Sequence, residues 1–256
     1  MSSPVAAILS SQSVSIESKC VIEALQSTFP NLSIGRDGSN LQADLSSAII
    51  SVDGVMVALL SLPARLPDGW QVAARRAEGH WPQASKVCEQ HQAHVLVSLM
   101  DSSVDRLRAA QIVTAVATAF ITSHSTCSAV VWDSVVVSSS EKFAEYGRSA
   151  FADYPNFPIS LWVSFHPFQE VDIVGLVTMG LANFAGREIE LDGPRTQLRI
   201  ILDRAKGLVV YLMKLGVAIH DGDTIGVSEG ERITIRHTQS ERFRGLLVFA
   251  GTLIFT

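Results

Sequence analysis

The chain has 256 residues, 47% hydrophobic and 18% charged, which excludes disorder and supplies core for one large domain or two small ones. The formal net charge of -5 excludes the broad cationic footprint that binding to nucleic acid requires, so no nucleic-acid partner is expected. The three cysteines, Cys20, Cys88 and Cys127, are odd in number and far apart, which excludes a disulfide framework and a CxxC redox or zinc motif.

The start MSSPVAAIL has neither the basic region nor the long apolar stretch of a signal peptide, and Pro4–Leu9 reads as a buried strand. Ser15 is placed to cap a helix whose apolar positions Ile16, Cys20, Val21, Leu25 and Phe29 recur at helical spacing and which Pro30 closes. A polar, turn-rich stretch follows, with Asp37-Gly38 as a tight turn. Asp53-Gly54 sits between the apolar runs 48–52 and 55–62, the dipeptide that a two-residue type I′ hairpin demands. Those runs are apolar on successive residues, so both faces of the hairpin are expected to be covered.

Residues 69–90 read as helix broken near Gly79 and Pro82, and 93–100 as strand. Ser103–His124 carries Leu107, Ala110, Val113, Val116, Ala117, Phe120 and Ile121 on one helical face. Ala129–Val137 reads as a strand or two, bent at Asp133-Ser134. The composition then changes: three serines, a short amphipathic stretch and two prolines occupy 139–158. This divides the chain into an α/β half over 1–138, a docked connection over 139–158, and a β-rich half over 159–256 built around one long helix.

In that second half, 159–165 and 171–179 read as strands, and Glu188 and Glu190 alternate with Ile189 and Leu191. Pro194 sits at a helix start. Leu198, Ile201, Leu202, Ala205, Val209, Leu212 and Leu215 form an apolar stripe, with Gly216 as the left-handed residue that ends it. Short β runs follow at 217–220, 224–227, 233–237 and 246–255, turning at Asp221-Gly222 and Glu229-Gly230. No apolar run approaches the roughly 20 residues that cross a bilayer, so a cytoplasmic protein without a membrane partner is expected. Hairpins interleaved with helices give an α+β fold, with antiparallel or mixed sheets and helices mainly on one face, in two contiguous α/β halves.

No spacing of a nucleophile or phosphate loop is present. His91 and His94 form HxxH with Cys88 a turn earlier, but no carboxylate accompanies them. The structural reading is preferred, with His94 half-buried in a strand and His91 a cation at a helix end. No metal or cofactor is therefore expected. The densest polar cluster is His220-Asp221-Gly222-Asp223-Thr224. It could bind a cation or polarise water, yet Asp-Gly-Asp is also a turn, and motif specificity favours the turn. Glu188 and Glu190 face one side of a strand, where acid–base chemistry competes with plain solvation; Asp192, Arg195 and Arg199 lie nearby in sequence. Together with Arg236, these residues (Glu188, Glu190, His220, Asp221, Asp223, Arg236) form the candidate binding set, and none is assigned a catalytic role.

Leu176 to Leu181 (LVTMGL), Phe184, Glu188-Ile189-Glu190, Gly216, Asp221 to Gly226 (DGDTIG), Ser228, Glu231, Ile233 and Arg236 resemble the bacterial domain-of-unknown-function family 4261. Trp81-Pro82, Ala84 and His91–Val97 extend the likeness into the first half, so that it spans most of the chain. The resemblance implies a bacterial protein near toxin or secretion systems. Its expected role is immunity or accessory, non-enzymatic, with a toxin or secretion component as protein partner. A hydrolase-like enzyme or small-ligand binder using Glu188, Glu190, His220, Asp221 and Asp223 is the alternative.

Overall fold

The computed structural model describes residues 3–36, 45–101, 103–215, 219–226 and 230–255. Asp37-Gly38, Ser102, Gly216, Val217 and Ser228 lie outside them. The chain divides into two compact units, 1–162 and 163–256, and the fold is α+β.

The first unit begins with β1 (Val5–Ser10), α1 (Ser18–Thr28), β2 (Ile34–Arg36), β3 (Ser47–Val52) and β4 (Val55–Leu62). It continues with α2 (Gln71–Ala77), α3 (Ala84–Glu89), β5 (Ala93–Leu99), α4 (Arg106–Ser123), β6 (Cys127–Trp132), β7 (Val136–Ser139) and α5 (Ser140–Gly147). Its strands form one antiparallel sheet in the order β2-β3-β4-β5-β1-β6-β7. β5 and β6 both run antiparallel to β1 and flank it, with α4 as their crossover. With β4 beside β5 and α1 packed on α4, the centre has the strand order of a ferredoxin-like split βαβ fold, extended at both edges.

The longer helices α1, α4 and α5 pack together. The short pair α2 and α3 covers the other face, with Trp70, Ala73, Ala77 and Cys88 over Ala7, Leu9, Ala129 and Val131. The segment 139–158 contributes α5 to this unit. α4 does not have one apolar face: every residue from Ile112 to Ile121 is buried. Its alanines and threonines let neighbours approach on sides that a count of large apolar residues leaves out.

Turn chemistry is obeyed where it is strict. Asp53 and Gly54 both take positive φ, 49° and 80°, and Val52 pairs Val55 across a two-residue loop. Asp133 and Ser134, at 48° and 60°, also take positive φ, in the three-residue loop that joins Trp132 of β6 to Val136 of β7. Three expectations are corrected. Ser15 does not cap α1, whose N-cap is Glu17, because the Ile16 amide donates to the Leu45 carbonyl at 2.7 Å and keeps that stretch extended. β3 and β4 alternate, burying Ile50, Val52, Val57 and Leu59 while Leu60 is exposed, so one face is covered. Residues 159–161 form a 3-10 turn rather than a strand, drawn in by Trp162, which is buried among aromatic rings and donates its indole N–H to Thr114 Oγ1 at 2.8 Å.

The second unit comprises β8 (Ser164–Gln169), β9 (Ile173–Met179), α6 (Ala182–Ala185), β10 (Glu188–Pro194), α7 (Leu198–Leu215), β11 (Thr224–Ile225), β12 (Glu231–Thr234), β13 (Arg236–Gln239) and β14 (Leu247–Phe255). The sheet order is β11-β12-β14-β10-β9-β8, with β13 also on β14. β14 runs parallel to β10 and antiparallel to β12 and β13, so this sheet is mixed. Its register against β12 and β13 is continuous, Ile233 opposite Leu253 and Arg236 opposite Ala250. α7 packs on β10 and β9, burying Ile201, Ala205, Val209 and Leu212. Pro194 ends β10 instead of opening α7, and a 3-10 turn over Arg195–Gln197 intervenes. The described residues 219 and 220 of the expected strand 217–220 are not extended into a ladder. Among the described residues no helix is long and apolar enough to cross a membrane.

Candidate functional site

The six candidate residues engage three separate sets of partners. Glu188 stands at the start of β10, 3% exposed. Its carboxylate accepts from the backbone N–H groups of Gly180, Leu181 and Ala182 at 2.7–3.1 Å and from the Thr178 hydroxyl at 2.7 Å. Burial pushes its pKa up, and those four donors pull against that shift. Gly180, at φ 108°, lets the chain curl around the carboxylate, so Glu188 caps the turn into α6.

Glu190, 5% exposed, meets a residue that sequence proximity did not suggest. Arg242, from the loop before β14, reaches Glu190 Oε1 at 2.6 Å, Glu170 Oε1 at 2.6 Å and Asp192 Oδ2 at 3.3 Å. Its guanidinium lies 4.4 Å from the centre of the Phe168 ring. Hydrogen bonding to Glu170 and Glu190 raises the Arg242 pKa, and Glu170 is held below the usual carboxylate range by the same contact. Glu188 and Glu190 are thus buried and bonded rather than solvated, because β10 is an interior strand of the sheet.

His220, Asp221, Asp223 and Arg236 form the third set, and all four are exposed. The Asp223 carboxylate accepts the His220 backbone N–H at 2.7 Å, Asp221 accepts that of His237 at 2.7 Å, and Arg236 lies 3.6 Å from Asp221. The His237 N–H holds the Asp221 carboxyl below its ordinary pKa. Gly222, at φ 92°, donates to the Ile235 carbonyl. The segment therefore fastens the chain leaving α7 onto the sheet as it enters β11. Ala250 pairs both Glu190 and Arg236, which places those two residues two strands apart, roughly 10 Å.

Of the six, Asp223 alone lines a groove of about 540 Å³ between α7 and β11–β12. The helix supplies Asp203, Arg204, Gly207, Leu208 and Tyr211; the opposite wall is Ile219, Asp223, Thr224, Ile225, Gly226 and Ile233. Arg204 is bound by Glu231 through two contacts, 2.5 Å at Nε and 2.7 Å at Nη2, so its charge is already neutralised. Asp203 and Asp223 stand exposed on opposite walls, leaving the groove acidic above a bed of Leu208, Ile219 and Ile233, all buried. Among the described residues a Cβ on Gly207 would meet no atom within 4 Å; the missing side chain opens the groove.

Sequence reasoning missed Arg204, Gly207, Tyr211, Glu170 and Arg242. One signal was present: glycine inside a helix costs about 1 kcal/mol relative to alanine, and such a residue asks for a reason. HxxH is explained by backbone. His91 Nε2 accepts the Leu66 N–H at 2.8 Å while Nδ1 faces the Cys88 carbonyl, and His94 Nδ1 lies 2.7 Å from the Ala64 carbonyl. His91 is 1% exposed, and burial lowers its pKa. It is a neutral core residue rather than a cation at a helix end, and His94, at 2%, is fully buried. Among the described residues no cluster of three or more His, Cys, Asp or Glu could hold a metal ion.

No curated protein and no solved structure matches the chain. Residues 177–245, which run from β9 through β13 and hold every residue of the groove, match the family model described as Domain of unknown function (DUF4261), and in that stretch the chain resembles the family.

Proposed function

We propose that the chain acts by holding a protein partner, in an immunity or accessory role beside a toxin or type VI-like secretion system, and that the partner docks in the groove between α7 and β11–β12. The lining supports this most. Its side chains offer apolar contact, two carboxylates and a guanidinium already spent on Glu231, a composition suited to recognition. The acidic rim suits a basic partner and steers its approach. The groove also lies inside the stretch that resembles the family.

Copurification tests it. The chain is co-expressed with the products of the genes adjacent to its own, as wild type and as Gly207→Trp, which fills the groove from a position with open space around it. One of those products is expected to copurify with the wild type and not with the variant. Failure of every neighbouring product to bind, or equal binding by the variant, counts against the reading.

A further inference from the structure

We infer that the groove recognises a basic side chain adjacent to a large apolar one on a partner segment, a reading that deepens the docking role proposed above. Three observations converge. Asp203 and Asp223 face the groove from opposite walls, one on α7 and one on the arm that enters β11. The cation that could have neutralised them, Arg204, is committed to the largely buried Glu231 by a bidentate pair. Paired charges of this kind exchange partners reluctantly, because breaking them strands the buried carboxylate. The groove therefore presents negative charge that an incoming ammonium or guanidinium can balance. Of the other cations on that arm, Arg236 lies 3.6 Å from Asp221, and His220 lies 3.5 Å from Asp223 through Nδ1.

The apolar half of the specificity comes from Gly207. It lies one residue from Leu208 and one helical turn from Asp203 and Tyr211, and no atom of the described residues comes within 4 Å of where its Cβ would stand. A partner's Leu or Phe fits over Gly207 against Leu208 and Ile233 with Tyr211 at its side, while its Lys or Arg neighbour reaches Asp203 and Asp223. Small apolar residues or acids at the two positions lack one half of the match.

The charges can be removed without dismantling the walls. Asp203 is an exposed helix residue, so Asp203→Asn changes charge alone. Asp223→Asn keeps a side-chain oxygen to accept the His220 N–H, and so keeps the turn. Fluorescence anisotropy of labelled, end-blocked heptapeptides with Phe-Arg, Phe-Lys, Phe-Glu or Ala-Arg at the centre, against the full chain at pH 7.5, reads the outcome. Phe-Arg and Phe-Lys are expected to bind, with binding weakened about tenfold by the double Asn variant, further by added salt, and abolished by Gly207→Trp. Phe-Glu binding as tightly as Phe-Arg, or binding indifferent to the Asn substitutions, overturns the inference. If a partner copurifies through the groove and ignores Asp203→Asn/Asp223→Asn, the docking role stands and this specificity falls. If the groove instead holds a second copy of the chain, equilibrium sedimentation shows a dimer that Gly207→Trp dissociates, and the inference is wrong.

Discussion

At the residue scale, two interior groups make sharp demands on their surroundings. Arg242 gathers Glu190, Glu170 and Asp192 while stacking on Phe168, and the second oxygen of Glu190 is buried with no hydrogen-bond partner among the described residues. Arg242→Met leaves that carboxylate uncompensated and should cost about 3 kcal/mol in urea unfolding; adding Glu190→Gln should recover about 1 kcal/mol or more, since the stranded charge is gone. His91 accepts the Leu66 N–H through Nε2, which only the neutral ring can do, and Arg65 and His94 add repulsion to the protonated form. Its folded pKa lies below the unfolded value of about 6.5. Its contribution is therefore complete above about pH 6.5 and is lost as pH falls through the lower folded value. The urea midpoint should drop on acidification, and His91→Gln should flatten the slope; His80, whose pKa burial also lowers, supplies part of what remains. The candidate site was legible in its turn residues, since Asp-Gly dipeptides constrain their own backbone. It was illegible in its pairings: Arg242 is 52 residues from Glu190, and Glu231 is 27 from Arg204. Periodicity carries no information at such separations.

Among the elements, the legible ones are those whose signal is local. The Asp53-Gly54 hairpin, the break between α2 and α3, β5, β9 and β14 all follow from turn chemistry and apolar runs. Errors arise where tertiary contacts override local preference: Ile16 bonds to Leu45, and Trp162 is pulled into the core by Thr114. α4 shows a third reason, because its alanines and threonines are buried by close helix packing that hydrophobicity alone does not register. That packing is tightest at the end of α5. A Cβ on Gly147 would lie 2.0 Å from Thr118 Oγ1 and 3.3 Å from Thr118 Cβ. Gly147→Ala is therefore expected to destabilise by about 1–3 kcal/mol through overpacking, despite alanine's better helix propensity. A combined Gly147→Ala/Thr118→Ala chain should regain most of the loss, as read by thermal unfolding, because the obstructing hydroxyl is removed.

On the scale of the whole molecule, the stretch that resembles the family does not contain its own central strand. Residues 177–245 end before β14, yet β14 lies between β10 and β12 and carries β13 as well. Removing 246–256 should leave the second unit without a joined sheet: circular dichroism should show loss of its β signal, and the first unit, whose seven strands lie within 1–162, should keep a cooperative transition. The docking role makes the opposite kind of demand, an intact second unit with a localised footprint. Amide hydrogen exchange on the chain with and without its bound partner tests this most directly. Protection confined to 203–211 and 219–226, the two walls of the groove, is the result expected. Protection concentrated in the first unit, with both walls exchanging as in the free chain, would contradict it.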